Sequence, residues 1–177
     1  RDILSSYMVT TYIGIVGEKG SGKGLFASIA KKFLPDKHIE SFRTSQPIRE
    51  VLKILDKEVS RENMPILATA VGKGFNDDGV WYPATRKLLR SVNADIITVD
   101  GIRKPEEIKI IREVNGILLY ITADQKTRFE RRRSNPENSD ELGITFEVFA
   151  QQELSPTEID IPKIGSDLAD AKIENNG

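Results

Sequence analysis

Gly17-Glu18-Lys19-Gly20-Ser21-Gly22-Lys23-Gly24 decides how this chain is read. The apolar run Tyr12 to Val16 precedes it, and Leu25 to Phe33 follows with Leu25, Phe26, Ile29, Ala30 and Phe33 at helical spacing. Strand, glycine-rich loop, lysine and helix in this order form the context of a phosphate-binding loop. Glycines let the backbone wrap tightly enough for several N–H groups to converge. The start of the following helix adds its positive end at the same place. Lys23 then supplies a point charge for the outer phosphates of a nucleoside triphosphate. Against the pattern G-x-x-x-x-G-K-[ST], Gly17, Gly22 and Lys23 are in place, but Gly24 stands where a hydroxyl residue is usual. Leu25 cannot replace that hydroxyl, which leaves Ser21 and Ser28 as the nearby ones.

Outward from the loop, strand-like and helix-like segments alternate. His38 to Phe42 reads as an edge strand, and Ser45-Gln46-Pro47 opens a helix with Ser45 as cap and proline in its first turn. Arg61 to Val71 suits another helix, Gly72 to Gly79 a break, and Trp81 to Ser91 a further helix whose start Pro83 limits. Ala94 to Val99 is an apolar strand that ends in Asp100-Gly101-Ile102-Arg103. Pro105 opens a helix that Asn115-Gly116 closes, and Ile117 to Ile121 is a third buried strand. Asp124 to Arg133 is a strongly basic helix. Ser134 to Ser139 is polar, Thr145 to Glu153 suits a helix capped by Thr145 with Phe146 and Phe149 inward, and Ala171 to Glu174 a last short strand. This alternation implies right-handed crossovers and a parallel sheet covered on both sides. Ligands of such sheets sit at the carboxyl ends of the strands. The glycine loop, Asp100 to Arg103 and the turn at Ile121 to Asp124 then share one rim.

The bulk composition narrows the chemistry. A length of 177 residues fits one domain with a real core. A net charge of −1 predicts no general affinity for nucleic acid. The basic cluster from Lys126 to Arg133 is followed, between Glu137 and Glu174, by ten acids against two lysines, which would repel a phosphate backbone. With no cysteine, disulfides, thiolate metal sites and thiol catalysis are excluded. His38 is the single histidine, so a histidine-based metal cluster or triad would have to be built on it alone. No run approaches a membrane span and the start lacks a signal-peptide pattern, so no membrane partner is expected and a cytoplasmic protein is. Arg1 is not an initiating residue, which fits a tag remnant or the tail of a removed segment.

Asp100 ends an apolar strand, where a carboxylate costs free energy unless a cation or hydrogen bonds offset it. Beside a phosphate loop the natural partner is hydrated Mg²⁺, with Asp100 reaching it through water. The alternative is that Asp100 caps its own turn through backbone N–H groups. Phosphoryl transfer also needs positive charge around the moving group, for which Arg49, Arg103 and the cluster from Lys126 to Arg133, with Arg128, Arg131, Arg132 and Arg133, are the available cations.

These residues resemble a known group. Gly17 to Gly24 is similar to the loop of adenylate kinase and its relatives, which carry G-S-G-K-G followed by threonine. Asp100-Gly101-Ile102-Arg103 resembles their D-G-F-P-R stretch, and more closely the D-G-[VI]-R of a set of prokaryotic P-loop proteins likened to dephospho-CoA kinase, adenylate kinase and deoxynucleoside monophosphate kinase. Ser45 to Glu50 is similar to the T-G-D-x-L-R-E segment that holds an acceptor monophosphate, Ala123 to Arg131 to the helix leading into a lid, and Ala169 to Gly177 to the A-D-x-x-I-x-N-x-G closing strand of dephospho-CoA kinases. A final helix follows in those enzymes, so the chain is expected to stop short of one. The resemblance implies a three-layer αβα sandwich on a parallel five-stranded sheet. Its core would be 12–42, 94–133 and 160–177, its helical acceptor-binding insertion about 43–91, and its lid about 134–155.

The resemblance also assigns roles. The donor ATP would lie on Gly17, Glu18, Lys19, Gly20, Ser21, Gly22, Lys23 and Gly24, with Arg128 and Arg131 near its base or phosphates. Ser45, Arg49 and Arg103 would hold the acceptor, and Lys23, Asp100, Arg103 and Arg131 would form the catalytic set with Mg²⁺. Three departures stand out: Leu25 in place of threonine, no arginine after Arg133, and Gln151-Gln152-Glu153-Leu154 in the second lid arm. The leading expectation is a phosphotransferase moving the γ-phosphate of ATP to a small phosphorylated acceptor. A (deoxy)nucleoside monophosphate comes first and dephospho-CoA second. A low-turnover ATP-binding switch or scaffold is the rival class.

Overall fold

A computed structural model describes residues 10–60, 62–135 and 143–177. Five strands, β1 (Thr11–Val16), β2 (Ile39–Arg43), β3 (Ile96–Asp100), β4 (Ile117–Thr122) and β5 (Ala171–Glu174), form one sheet in the order β2-β3-β1-β4-β5. Every pairing is parallel. The helices are α1 (Lys23–Phe33), α2 (Gln46–Ile54), α3 (Asn63–Phe75), α4 (Tyr82–Ser91), α5 (Pro105–Glu113), α6 (Gln125–Ser134), α7 (Phe146–Glu153) and α8 (Ile161–Leu168). This is the expected sandwich. The glycine loop leaves the central strand β1, whose neighbours are β3 and β4.

Strand alternation sorts the core into two faces. Val16, Val99, Leu118 and Tyr120 join the larger cluster with Ile108 and Ile111 of α5 and Ile161 and Ile164 of α8. Ile15, Leu119 and Ile121 point the other way and meet Phe26 of α1. The two sides are unequal. Helix α1 buries no residue, and Leu25 and Phe33 stay 56% and 74% exposed. Of the apolar residues at helical spacing on α1, Phe26 is the one that packs against the described Ile15, Leu119 and Ile121 cluster.

Three other readings change. Helix α3 runs through Gly72 to Phe75, so the expected break begins only at Asn76, which adopts a left-handed φ of 52° and caps the helix. Ser45 stands at the start of α2 but makes no side-chain cap bond; its hydroxyl accepts from Arg49 Nε at 3.3 Å instead. Helix α8 was not foreseen: Pro162 occupies its first turn, where the missing N–H costs nothing. Gly165 lets α8 lie on the Tyr120 ring, since a Cβ there would come within 2.4 Å of Tyr120. The inward placement of Phe149 holds, while Phe146 is 37% exposed and packs edge-on against Phe129. Most of the polar stretch after Ser134, and with it part of the expected lid, lies outside the described residues. Segment 43–91 carries three helices, α2, α3 and α4.

Candidate active site

The loop after β1 is shaped by close approaches. A Cβ on Gly17 would sit 2.1 Å from the Ile121 carbonyl of β4, so only glycine lets the loop leave β1 at that point. Gly22 begins α1 with a φ of 101°, a conformation that side-chain-bearing residues avoid. The N–H groups of Gly20 and Gly22 donate in none of the described turn and loop backbone bonds, while the Gly22 carbonyl accepts from the Leu25 N–H at 3.0 Å. Lys23 Nζ donates to the Glu18 carbonyl at 2.8 Å, folding the lysine back over the loop.

These atoms open into a cleft of about 840 Å³ at the carboxyl ends of the strands. Of the expected site residues it brings together Gly17, Lys19, Gly20, Gly22, Lys23, Gly24, Ser45, Arg49, Asp100, Arg103 and Arg131. Its described walls carry seven cationic side chains, Lys19, Lys23, Arg43, Arg49, Arg103, Arg131 and Arg132, against two carboxylates, Asp100 and Glu158. Such a surplus in a partly enclosed space favours anionic ligands. The volume suits a nucleotide together with a second small molecule.

Three expected donor-site residues face elsewhere. The Glu18 side chain turns into the protein, where Tyr120 Oη donates to its Oε1 at 2.7 Å and Thr122 Oγ1 at 3.0 Å. Burial, followed by the bond to Glu18, pushes the Tyr120 hydroxyl up to about 12. Ser21 is fully buried, so its hydroxyl does not stand in for the one missing at Gly24. Ser28 lines the cleft, but its hydroxyl donates to the Leu25 carbonyl at 2.7 Å. Arg128 is buried beneath the loop. It donates to the carbonyls of Ala123 at 2.8 Å and Lys19 at 3.2 Å, pairs with Glu153 and lies over the Phe149 ring. Arg128 thus braces the loop from below rather than facing the cleft, because the carbonyls of Lys19 and Ala123 need a buried donor.

On the far side, Asp100 Oδ1 accepts from the Gly101 N–H at 2.7 Å, so the carboxylate caps its turn and also lines the cleft. Of the two cleft carboxylates, Glu158 lies against Arg103 and Lys19, which leaves Asp100 as the one that would hold a hydrated Mg²⁺ through water. No group of three or more metal-ligating side chains occurs among the described residues. Arg103 Nε donates to Glu158 Oε1 at 3.2 Å, and Lys19 Nζ lies 3.9 Å from the same oxygen. Arg131 donates to the Gly177 carbonyl at 2.9 Å, and its Nη1 is buried with no hydrogen-bond partner. Arg49 has its pKa lowered by burial and by the charge of Arg43. His38 pairs with Glu40 at 2.9 Å at the opposite end of β2, away from the cleft.

Sequence reasoning missed Arg43 and Glu158. Arg43 had a usable signal, since it ends a strand on the rim, in register with Asp100. Glu158 had none: it meets Arg103 across 55 residues of chain. Asn175 and Asn176 were quoted only as part of a motif. In the structure Asn175 Nδ2 donates to the Ser21 carbonyl at 2.9 Å, and Asn176 Oδ1 accepts from the Asp124 N–H at 2.7 Å. The chain after β5 is thereby tied to the glycine loop and to the start of α6.

Comparison with known proteins agrees with this architecture. No family model matches the chain. Shikimate kinase from Acinetobacter baumannii, solved in complex with shikimate, superposes with a TM-score of 0.56 at 15% identity, over 97% of this chain and 87% of that one. Shikimate kinase from Bacteroides thetaiotaomicron gives 0.55 at 14% identity, over 93% and 86%. At these identities the likeness establishes the fold, which is that of the P-loop kinases. Among curated proteins, the UPF0200 protein MK0400 of Methanopyrus kandleri is 30% identical over 150 residues, covering 80% of this chain and 71% of that protein. With that identity over that span, the chain belongs to the UPF0200 family.

Proposed function

We propose that this chain is an ATP- and Mg²⁺-dependent phosphotransferase acting on a small phosphorylated acceptor. A (deoxy)nucleoside monophosphate is the leading class and dephospho-CoA the second. One observation carries the reading: the glycine cradle with Lys23 opens into the same cleft as Arg49 and Arg103. Donor and acceptor phosphates can then meet in line, with cations on both sides.

The cradle amides and Lys23 would hold the β- and γ-phosphates, and Arg131 would lie along the donor. Ser45 and Arg49 would hold the acceptor, joined by Arg103. Mg²⁺, ordered by Asp100 through water, would supply charge neutralisation between the phosphates. An acceptor oxygen attacks the γ-phosphorus, the bond from that phosphorus to the β–γ bridging oxygen breaks, and ADP departs with the electron pair. A monophosphate acceptor is already ionised and needs little base catalysis. A ribose hydroxyl, as in dephospho-CoA, releases a proton, and Asp100 and Glu158 are the carboxylates in the cleft that would accept it. Cytoplasmic location fits this chemistry, and no helix among the described residues is long and apolar enough to cross a membrane.

The rival reading, an ATP-binding switch with little turnover, draws on a specific feature. Neither Gly24 nor Leu25 offers Mg²⁺ a hydroxyl, and Ser21 is buried out of reach. One experiment separates the two: ADP release measured over a panel of nucleoside monophosphates and dephospho-CoA, in wild type and Lys23→Ala. Acceptor-dependent ADP that Lys23→Ala abolishes supports the kinase. ADP at background with every acceptor, while ATP still binds, supports the switch.

A further inference from the structure

We propose that a cavity behind the glycine loop is a binding site for one monovalent cation of potassium size, held by the Glu18 carboxylate. The cavity shares only Glu158 with the cleft of the proposed phosphoryl transfer. The inference does not depend on that reading.

The cavity measures about 190 Å³, room for a cation with several waters. Its charged walls are Glu18 of the loop, Arg128 of α6, Glu153 of α7 and Glu158 before α8. Two of these carboxylates are answered. Glu153 pairs with Arg128 and accepts from Gln125 Nε2 at 2.8 Å. Glu158 lies 3.2 Å from Arg103 Nε and 3.9 Å from Lys19 Nζ, two cations that line the cleft and not the cavity. Glu18 is answered by no cation. It is only 8% exposed, and its Oε1 accepts from the hydroxyls of Tyr120 and Thr122. Its Oε2 is buried with no hydrogen-bond partner among the described residues. A proton on Oε2 would not relieve this, since it would be a buried donor without an acceptor. Such an atom is costly unless something meets it, and one positive charge is what Glu18 lacks.

The rest of the wall selects the kind of cation. No group of three or more metal-ligating side chains occurs among the described residues, so the carboxylates do not form the cage that a divalent ion draws together. Potassium accepts neutral oxygens in place of its hydration shell. Gln125 supplies one on this wall, because its Nε2 is the atom that faces Glu153 and its carbonyl oxygen remains as an acceptor. The main-chain carbonyl of Glu18 accepts from Lys23 Nζ at 2.8 Å and from the Ser21 N–H at 3.2 Å. A cation that fixes Glu18 from behind therefore steadies the carbonyl on which Lys23 rests.

The test uses the whole chain without nucleotide. Urea denaturation is measured in potassium, sodium and lithium chloride at equal concentration. At about 0.1 M, potassium should raise the folding equilibrium constant about threefold or more over lithium, with sodium between. Glu18→Gln, which keeps an acceptor for Tyr120 and removes the charge, should erase that preference. Asp36→Asn, an exposed carboxylate away from the cavity, should retain it. Wild-type crystals soaked in thallium(I) acetate, whose cation stands in for potassium, should show an anomalous peak beside the Glu18 carboxylate. No preference for potassium, or the same preference in Glu18→Gln, would overturn the proposal. So would thallium peaks found only elsewhere on the molecule, an adventitious ion only. Should Glu18→Gln fail to fold, the wild-type thallium map decides alone. Neither ATP nor an acceptor enters these measurements, so failure of the phosphotransferase reading leaves their outcome untouched, and failure here leaves that reading standing.

Discussion

The side-chain amide of Asn175 donates to the main-chain carbonyl of Ser21 at 2.9 Å. In a trans peptide that carbonyl and the N–H of Gly22 point in opposite directions, so holding one aims the other. Asn175 is itself fixed, since its N–H donates to the Thr122 carbonyl at 2.7 Å. Asn175→Ala removes one neutral hydrogen bond, worth about 1 kcal/mol. It is expected to weaken tripolyphosphate binding by about fivefold. Asn175→Asp sets a carboxylate against the Ser21 carbonyl and should weaken it more. Isothermal titration with tripolyphosphate, which has no base or sugar, reads the effect on the cradle alone.

Gly22 is constrained twice. Its φ of 101° disfavours any side chain, and a Cβ there would lie 2.4 Å from Asn175 Nδ2. Gly22→Ala should therefore displace Asn175 as well as strain the backbone, at a cost of about 1–3 kcal/mol. Nucleotide affinity should fall further than in Asn175→Ala. Urea denaturation separates the stability loss from the affinity loss.

Arg128 and Glu153 make a largely buried ion pair that joins α6 to α7 while Arg128 also holds the Lys19 carbonyl. Removing one partner leaves the other charge in a poor environment, which costs about 3–5 kcal/mol in such pairs. Arg128→Met should fall in that range by urea denaturation. Arg128→Met combined with Glu153→Leu should cost less than the two single changes added, because no lone charge remains. A strictly additive double variant would show that the pair has no coupling.

Much of this was legible in the residues, and the rest was not for identifiable reasons. Strands and the glycine loop announce themselves through local pattern, so Tyr12 to Val16, Ala94 to Val99 and the edge strand after His38 could be read directly. Helix α8 carried a signal in Ile161, Ile164 and Leu168, but Pro162 and Gly165 read as breakers until their places in the first turn and against Tyr120 are known. That Arg128 and the Glu18 side chain turn away from the cleft rests on information no window contains. Arg128 reaches Lys19 across 109 residues and Tyr120 reaches Glu18 across 102. A charged residue beside a binding loop has two possible directions, and only the fold selects one.

Tyr120 gives the molecule an alkaline limit. Its hydroxyl ionises at about 12 in the folded chain, against an ordinary value of 10.0, because burial disfavours the phenolate and the bond to Glu18 requires the proton. Tyr82 is raised to about 12 as well, by burial and nearby acids. Between those values the unfolded chain has lost protons that the folded chain keeps, so stability falls as pH rises. The contribution is fully present below about pH 10 and is lost by about pH 12. Tyr120→Phe should be less stable at pH 8, by about 1 kcal/mol for the lost hydrogen bond, and should lose stability less steeply from pH 10 to 12. Chemical denaturation across that range measures both. Equal slopes for the variant and wild type would show that Tyr120 does not set the limit.

Gly24 lines the cleft directly after Lys23, and a Cβ built there meets nothing within 4 Å. Its φ lies outside the left-handed region, so a side chain fits without strain. Serine at this place would offer the hydroxyl that phosphate loops present to Mg²⁺ and that Ser21 and Ser28 do not supply here. Gly24→Ser is expected to raise affinity for Mg²⁺-AMP-PNP by about threefold to tenfold, the equivalent of about 1 kcal/mol. Affinity for AMP-PNP in EDTA should stay near the wild-type value. Titrations with and without the metal isolate the hydroxyl's contribution from any general effect on the loop. If the gain is equal in both, the added side chain acts on the backbone, and Mg²⁺ at this end of the cleft does not use a protein hydroxyl after Lys23.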